Sequence, residues 1–285
     1  MDQYDKELEE NVPEFEGHAE PVSHGALDIS ATVTAVKIEG WRQIVGILVV
    51  ALIVIGGWEL LVRLAKVPEF VFPTPSAIAV NVILNMPTIY PHFFYTLGEL
   101  IAGYAIGAVF GLLMAAVLTQ APFMEKIITP YILLLVTTPT IALVPLLMLR
   151  MGFNVWPRVI AVALAVGPMV MINSTTGFRR TDLAKIALAK SYGASTFQIF
   201  RKIRFPLALP MINVGLLVGG IFGLITAVAS DMFGGRMGLG NRIAYYSSLA
   251  RMASFFGVIL LVSLIGISIW IIMAAVGKKW ASWQE

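Results

Sequence analysis

The chain has 285 residues, of which 58% are hydrophobic and 13% are charged, and its formal net charge is +3. Because soluble globular domains carry about 25% charged and about 45–50% apolar residues, this composition excludes an ordinary soluble domain and indicates a protein that lies in lipid. The absence of cysteine excludes disulfides and thiolate metal sites, and the three histidines (His18, His24 and His92) are too scattered to predict a metal centre.

The first 43 residues are acidic, with ten acidic side chains against three basic ones. They lack the basic start and the small-residue cleavage site of a signal peptide. We therefore expect an acidic cytosolic tail over residues 1–43, followed by a membrane domain over residues 44–285.

Six stretches of this domain are long and apolar enough to cross the hydrocarbon core of a bilayer, which takes about 20 residues. Only helices and closed barrels satisfy the backbone in lipid, and runs this long lack the alternation of barrel strands. The sequence therefore predicts an all-α integral membrane protein with six transmembrane helices. They cover residues 44–62, 92–118, 127–149, 159–178, 207–230 and 255–277.

An even number of spans places both termini on the same side of the membrane. If that side is the cytoplasm, 13 of the 20 lysine and arginine residues fall inside, seven of them in the loop between the fourth and fifth stretches. Cytoplasmic loops carry an excess of these residues, and Trp280 and Trp283 suit an interfacial belt after the last stretch. We predict cytoplasmic N and C termini.

The second and fifth stretches each carry a small residue at every fourth position. This spacing predicts a flat face on which helix backbones approach closely, and it indicates packing rather than chemistry. The residues are Gly103, Gly107, Gly111 and Ala115 in the second stretch, and Gly215, Gly219, Gly223 and Ala227 in the fifth.

Three prolines interrupt apolar stretches, at Pro139, Pro145 and Pro168, and each removes a backbone hydrogen bond. The third stretch, which holds two of them, is therefore expected to be bent and to line a path. Polar side chains in membrane helices also bond their own backbone, and Asp231 could belong to a solvated loop, so both interpretations stay open. The candidate path residues are Thr137, Thr138, Pro139, Thr140, Asn173 and Asp231.

The loop at residues 179–205 has strong local signals for two helices. Asp182 is placed to cap a helix that runs to about Tyr192, and Gly193 provides a left-handed stop. Ser195 and Gln198 have the spacing of a capping box at the start of a second helix. That helix carries apolar side chains such as Phe197 between basic ones, so we expect lipid headgroups or a partner protein to cover it.

This loop resembles the "EAA" loop of bacterial ABC importer permeases. The resemblance rests on Ala187-Leu-Ala-Lys-Ser-Tyr-Gly193-Ala-Ser195, followed after Gly193 by nine residues and then Ile203-Arg-Phe-Pro206. It departs from the family pattern at Ala187, where the family has Glu, at Leu188 and at Phe205. The resemblance implies that the loop docks a separate ATPase, here by shape and apolar contact. The implied docking residues are Ala189, Tyr192, Gly193, Ala194, Ser195, Phe197, Ile203 and Pro206.

Four further segments resemble the nitrate/sulfonate/taurine branch of these permeases. They are Trp58-Glu-Leu-Leu-Val-Arg63, Phe72-Pro-Thr-Pro-Ser76, Pro139-Thr-Ile-Ala-Leu-Val-Pro145-Leu, and Asp231-Met-Phe-Gly-Gly-Arg-Met-Gly-Leu-Gly240, whose first residue is usually Glu in the family. The resemblance covers about residues 44–283. It implies a permease of the bacterial inner membrane that works by alternating access and imports a small anion or zwitterion.

The same resemblance implies a set of partners. Two ATPase subunits, a second copy of the chain in a homodimer and an extracytoplasmic solute-binding protein are expected, together with membrane lipid and no nucleic acid. The chain contains no phosphate-binding loop of the G-x-x-x-x-G-K-[ST] type, so ATP and magnesium are expected in the partner ATPase and no cofactor is expected in this chain.

An ion-coupled secondary transporter is the main alternative. Such a transporter uses carboxylates or histidines inside the membrane, and we expect none at the span centres. Glu59 and Glu99 are expected to reach the interface from span ends, and Asp231 and Arg236 to lie beside the outer gate. No span is expected to bury an arginine or a lysine, and no catalytic cluster is apparent, so an enzyme is not predicted.

Overall fold

The computed structural model describes residues 40–233 and 236–281, and these parts of the chain form helices and short connections without a β-strand. The predicted all-α membrane fold is confirmed. Most of the predicted acidic tail, as well as Trp283, lies outside the described residues. The helices are α1 Trp41–Leu64, α2 Pro75–Gln120, α3 Pro122–Thr137, α4 Thr140–Met151, α5 Trp156–Arg179, α6 Leu183–Ser191, α7 Thr196–Ile199, α8 Phe205–Met232, α9 Leu239–Ser248 and α10 Met252–Ala281.

Five helical segments of the described chain are long and apolar enough to cross a membrane, and α3 with α4 makes a sixth if the bent pair counts as one span. The helices extend beyond the predicted stretches, most of all α2. It begins at Pro75, after a Thr74 side chain that accepts a hydrogen bond from the Ala77 N–H, and runs for 46 residues. At 1.5 Å per residue it is about 69 Å long, so hydropathy marks only the part that matches the hydrocarbon core.

Helix α5 is the centre of the bundle, and glycine faces of α2 and α8 pack on two of its sides. A Cβ atom on Gly107 of α2 would lie 2.7 Å from the carbonyl oxygen of Ala163. A Cβ atom on Gly223 of α8 would lie 2.9 Å from the side chain of Val166. The small-residue stripes are therefore packing faces, as the spacing predicted.

The hydrophobic core follows α5 along its length. Val162, Val166 and Val170 are fully buried and lie four residues apart, so they form one stripe against α2, α8 and α10. Towards the other end of α5, Phe178 packs with Ile212 of α8 in a second cluster. Helix α5 is thus enclosed by protein, whereas most of the other spans keep a face for lipid.

Helix α1 lies at the edge of the bundle, since the central part of its length is not buried by the rest of the protein. Its C-terminal end is held by Glu59, which accepts hydrogen bonds from the backbone N–H of Ser76 (3.0 Å) and from Arg63 (2.6 Å). Trp58 stacks on Phe72 with ring centroids 5.2 Å apart. The segments at residues 58–63 and 72–76 therefore join α1 to the start of α2, and Glu59 binds the N-terminus of α2.

Candidate functional site

The loop between α5 and α8 adopts the conformation that its local signals predict. The Asp182 carboxylate accepts a hydrogen bond from the Ala184 N–H (2.8 Å) at the start of α6. Gly193 ends the turn after α6 with φ of +75°, a conformation that side chains with a Cβ atom rarely adopt. Ser195 and Gln198 form the complete capping box of α7. A π-helical turn, Phe200–Arg204, then leads into α8.

One side of this loop exposes large apolar side chains. The side chains of Tyr192 and Phe197 are 84% and 70% exposed, and Leu188 is exposed beside them. The opposite side faces the bundle, where Ile199 is buried and Phe200 packs against Phe178 with ring centroids 5.1 Å apart. The loop is therefore held on one side by contacts with the bundle, and it exposes aromatic side chains on the other side.

The third span is broken at Thr138 and Pro139, and α3 and α4 meet there at an angle of 89°. Thr138 is extended, as expected for the residue before a proline. A cavity of about 200 Å³ lies at the bend. It is lined by Thr138 and Pro139 at the break and by residues of α3, α4, α5 and α8, including Thr140 and Thr226. The predicted bend is confirmed, and it opens onto a mostly apolar chamber.

A buried polar cluster occupies the end of the bundle away from the loop. In it, the Glu99 carboxylate accepts a hydrogen bond from Arg158 Nη1 at 2.7 Å, and both side chains are at most 2% exposed. Asp231 is fully buried and accepts a hydrogen bond from the Thr96 hydroxyl at 2.6 Å. Arg158 and Arg179 lie at opposite ends of α5. At 1.5 Å per residue they are about 30 Å apart, so the cluster is far from the loop that follows Arg179.

The cluster extends to the turn before α9. Thr96 Oγ1 accepts a hydrogen bond from the Leu239 N–H (2.7 Å), and His92 Nδ1 lies 3.2 Å from the Gly238 carbonyl oxygen. Arg242 donates from Nε to His92 Nε2 at 2.8 Å. We refer to Glu99, Arg158, Asp231, Thr96 and His92 as the buried polar cluster.

Residues 107–282 match the family described as "binding-protein-dependent transport system inner membrane component". The match covers more than half of the chain and includes the whole loop. The chain belongs to this family. It is an ABC importer permease, which is a transport subunit and not an enzyme. Members of this family are multi-pass membrane proteins, and they work with ATPase subunits, a solute-binding protein and a second permease chain.

The permease is similar to curated relatives over most of its length. It is 26% identical over 72% of its length to a "probable ABC transporter permease protein" of Haemophilus influenzae, covering 83% of that protein. It is 27% identical over 74% to the "formylaminopyrimidine transport permease protein ThiX" of Halalkalibacterium halodurans, covering 84%. It is 24% identical over 80% to the "putative aliphatic sulfonates transport permease protein SsuC" of Bacillus subtilis, covering 82%. The resemblance to the sulfonate branch is confirmed.

The fold of the permease also matches a solved transporter. The match to a chain of the inward-facing "MetNI methionine ABC transporter" has a TM-score of 0.54 at 19% identity, and covers 67% of this chain and 98% of the other. The six-span bundle is therefore the fold of an ABC importer permease.

The structure places the predicted loop residues at different depths of the permease. Four of them are exposed, namely Tyr192, Gly193, Ser195 and Phe197. The other four are half-buried: Ala189 and Ala194 at the turn, and Ile203 and Pro206 where the chain enters α8. Leu188, a departure from the family pattern, extends the exposed face by one large apolar side chain.

The candidate path residues fall into two groups. Thr138, Pro139 and Thr140 line the cavity at the bend, although the Thr138 hydroxyl donates to the Leu134 carbonyl oxygen. The other three candidates do not line this cavity. The Thr137 hydroxyl donates to the Leu134 carbonyl oxygen, and the Asn173 side chain donates to the Met169 carbonyl oxygen of its own helix. Asp231 belongs to the buried polar cluster. Sequence reasoning missed Thr226, a buried cavity residue in α8 without a motif around it.

Two expectations about charge were wrong, and one open alternative, that Asp231 belongs to a solvated loop, is excluded. Arg158 is a buried arginine inside a span, because α5 begins at Trp156, three residues before the predicted stretch. Glu99 does not reach the interface, because α2 continues for 24 residues before it. Asp231 does not lie in a loop, because α8 continues to Met232. Among the described residues, no group of three or more His, Cys, Asp or Glu residues could hold a metal ion.

Proposed function

We propose that this permease imports a small anion or zwitterion by alternating access, and that a separate ATPase drives it through the loop between α5 and α8. In this account, the coupling loop is residues 179–205, and two copies of the chain form the path. Two ATPase subunits bind the two loops, and a solute-binding protein delivers the substrate from outside. ATP and magnesium are held by the ATPase, and the chain itself needs no cofactor.

The exposed apolar face of the coupling loop is the observation that supports this proposal. Tyr192 and Phe197 expose aromatic surface beside Leu188 on a loop whose other side is anchored in the bundle. Buried aromatic side chains supply much of the binding energy in protein interfaces. Ala187 is exposed beside this face, so docking proceeds without the ion pair that a glutamate there would make. A movement of the docked loop is transmitted directly to α5 and α8.

The bend between α3 and α4 supports a path through the membrane. A broken helix frees backbone groups, and such breaks are tolerated where they line a cavity. The cavity lining is mostly apolar and contains no charged side chain. Specificity for an anion or zwitterion therefore rests with the solute-binding protein, and the permease provides a gated passage.

Two of the relatives are named for the substrates that they transport. They are the formylaminopyrimidine permease at 27% identity and the aliphatic sulfonates permease at 24% identity. We assign a small anion or zwitterion of the nitrate, sulfonate, taurine or bicarbonate type. The termini are assigned to the cytoplasm of a bacterial cell, because the basic coupling loop is then inside.

Co-purification tests the coupling loop. The tagged chain is extracted from its native membrane in mild detergent, and its partners are identified by mass spectrometry. We expect a soluble ATPase with the wild type and its loss with Gly193→Trp or Phe197→Asp. Phe153→Asp is the matched control, since Phe153 is 68% exposed and lies before α5 at the end away from the loop.

Two results would count against the proposal. An ATPase retained by Phe197→Asp as well as by the control would place its docking surface elsewhere on the chain. A well-folded wild type that brings down no ATPase would favour the ion-coupled transporter, for which the buried carboxyls of Glu99 and Asp231 would be the candidate ion-binding groups.

A further inference from the structure

The buried polar cluster contains more acidic than basic side chains. Glu99, Arg158 and Asp231 come from three different helices, and each is at most 1% exposed. Two ionised carboxylates and one guanidinium would leave one negative charge inside the bundle. Charges in the interior of a membrane protein are costly unless they are paired, so the cluster requires one more positive charge or one proton.

No other described cation is placed to supply that charge. On the side of α9, Arg242 is half-buried, donates to the far nitrogen of His92 and lies over the Tyr245 ring at 5.4 Å. His92 has both ring nitrogens engaged, one towards the Gly238 carbonyl oxygen and one accepting from Arg242, which is the pattern of a neutral imidazole. From α2, Tyr95 contributes only a hydroxyl, which Arg158 contacts at 2.9 Å.

The hydrogen bonds of the two carboxyls point to the same missing proton. Glu99 Oε1 is bound by Arg158, and Asp231 Oδ2 is bound by Thr96. Among the described residues, the second oxygen of each carboxyl, Glu99 Oε2 and Asp231 Oδ1, is buried without a hydrogen-bond partner. Thr96, which binds Asp231, and Glu99 lie three residues apart on one face of α2, so the two carboxyl groups lie beside each other. Two ionised carboxylates in contact repel, whereas a proton on one lets it donate to the other.

We propose that Glu99 and Asp231 share one proton, and that this proton keeps the turn before α9 closed against α2. The site is a proton-binding site in the membrane domain, in addition to the transport function, and it does not depend on which ATPase or substrate the permease uses. Release of the proton to water leaves two carboxylates facing each other and restores the uncompensated negative charge.

The link from the proton to the turn runs through Thr96. Its hydroxyl donates to Asp231 and accepts from the Leu239 N–H, so Asp231 and the turn share one side chain. Gly238 has φ of +106°, and a Cβ atom at this position would overlap the Asp231 carboxyl. The turn therefore closes directly over Asp231. When the carboxylates repel each other, Asp231 moves away from Glu99 and the turn loses its contact with the Asp231 carboxyl.

Infrared spectroscopy detects the proton itself. The carbonyl stretch of a protonated carboxylic acid is separate from that of a carboxylate, and at neutral pH an ordinary exposed carboxyl is ionised. We expect the wild type in lipid nanodiscs to show one such band and Glu99→Gln and Asp231→Asn each to lose it. Glu59→Gln is the matched control and should keep the band. No protonated-acid band in the wild type, or a band that survives both substitutions, would overturn the proposal.

Stability as a function of pH gives an independent test. Either amide variant keeps one carboxylate opposite Arg158 and an N–H in place of the proton, so both should fold. The wild type should lose thermal stability as the pH rises through deprotonation of the pair, and the single variants should lose this dependence. Glu99→Gln with Asp231→Asn leaves Arg158 unpaired, so its Tm should fall by more than the sum of the single effects. A double variant as stable as the singles would contradict the proposal.

A fluorophore on the turn tests the link to its conformation. Because the chain has no cysteine, Arg236→Cys, an exposed position on this turn, can be labelled alone with an environment-sensitive dye. We expect its emission to shift when the pH rises in the wild-type background and to stay constant with Asp231→Asn. His92→Gln separates the titration of His92 from that of the carboxyl pair and should leave the shift at high pH in place. An unchanged emission in the wild-type background would overturn the link.

Discussion

At the scale of single residues, the close contact between α2 and α5 depends on the absence of side chains. Gly107 sits against the backbone of Ala163, where an added Cβ atom would come within 2.7 Å of a carbonyl oxygen. Backbone atoms cannot rotate away as a flexible side chain can. The two helices must therefore separate if a methyl group is added at this position.

We predict that Gly107→Ala destabilises the permease by about 1–3 kcal/mol, the usual cost of overpacking a core. Gly98→Ala is the control on the same helix, because a Cβ atom there meets nothing within 4 Å, and alanine is favoured over glycine in a helix by about 0.5–1 kcal/mol. Thermal unfolding in detergent should show a lower Tm for the first variant and an equal or higher Tm for the second. Equal Tm values for both variants would show that the α2–α5 contact can relax.

Sequence alone predicted these glycines and missed the pairing of Glu99 with Arg158. The glycines repeat at a fixed spacing within one helix, so the pattern is local. Glu99 and Arg158 are 59 residues apart, and each lies near the end of a predicted stretch. Whether such a side chain is buried depends on how far its helix continues and on what packs against it, neither of which hydropathy reports.

At the scale of whole elements, the bend between α3 and α4 has an identifiable cause. Proline restricts the preceding residue to an extended conformation, and Thr138 adopts one, so the helix ends there and restarts at Thr140. Pro145 lies inside α4 and Pro168 inside α5 without ending either helix. The number of prolines therefore predicted that the third span would bend, but not which proline would break it.

We predict that Pro139→Ala shifts the bent pair towards a straight helix. Spin labels at Phe123→Cys and Leu149→Cys, both exposed positions, should lie about 27 Å apart across a right-angled bend and about 39 Å apart in a continuous helix, at 1.5 Å per residue. Electron spin resonance distance measurements should show a longer component in the variant. Pro145→Ala is the control and should leave the distribution in place. If Pro139→Ala also left it in place, packing against α5 would be the cause of the bend.

The coupling loop was the element that the sequence described best. Its helix start, its stop and its second cap each depend on one or two residues, Asp182, Gly193 and the pair Ser195 and Gln198, and all adopt the expected conformation. Such signals act within one turn of helix and need no tertiary contact. The depth of Ile203 and Pro206, which are half-buried at the entry to α8, depends on the bundle and was not predictable in this way.

At the scale of the whole molecule, the permease joins two ends of one bundle through α5. The coupling loop follows one end of this helix, and the buried polar cluster surrounds the other. The cavity at the bend lies along its length, where Leu164, Ala165 and Pro168 face α3 and α4. We propose that a displacement of the coupling loop is transmitted along α5, which lines the cavity at the bend and reaches the buried polar cluster.

The number of spans could be predicted from hydropathy, whereas the arrangement around α5 could not. All six stretches are apolar enough to cross a membrane, yet more than half of the most hydrophobic part of α5 is buried and none of that of α1 is. Position within the bundle is decided by which faces fit, and in this chain the two glycine stripes select α5. The central place of α5 follows only when both stripes are seen to face the same helix.

The measurement that tests the account most directly is the accessibility of the bend while ATP is bound. A single cysteine at Thr138 is introduced into the permease–ATPase complex in oriented vesicles and treated with a membrane-impermeant thiol reagent. Lys278→Cys and Phe153→Cys serve as references for the two sides of the membrane, since both positions are exposed and lie outside the core of the bundle.

We predict that Thr138→Cys reacts from the side of Lys278 without nucleotide and from the side of Phe153 when ATP is bound. With Phe197→Asp, ATP should no longer change the reactivity, because the ATPase is uncoupled from the path. If Thr138→Cys reacted equally with and without ATP in a complex that hydrolyses ATP, alternating access at the bend would be contradicted. Labelling of both reference positions from the same side would contradict the orientation.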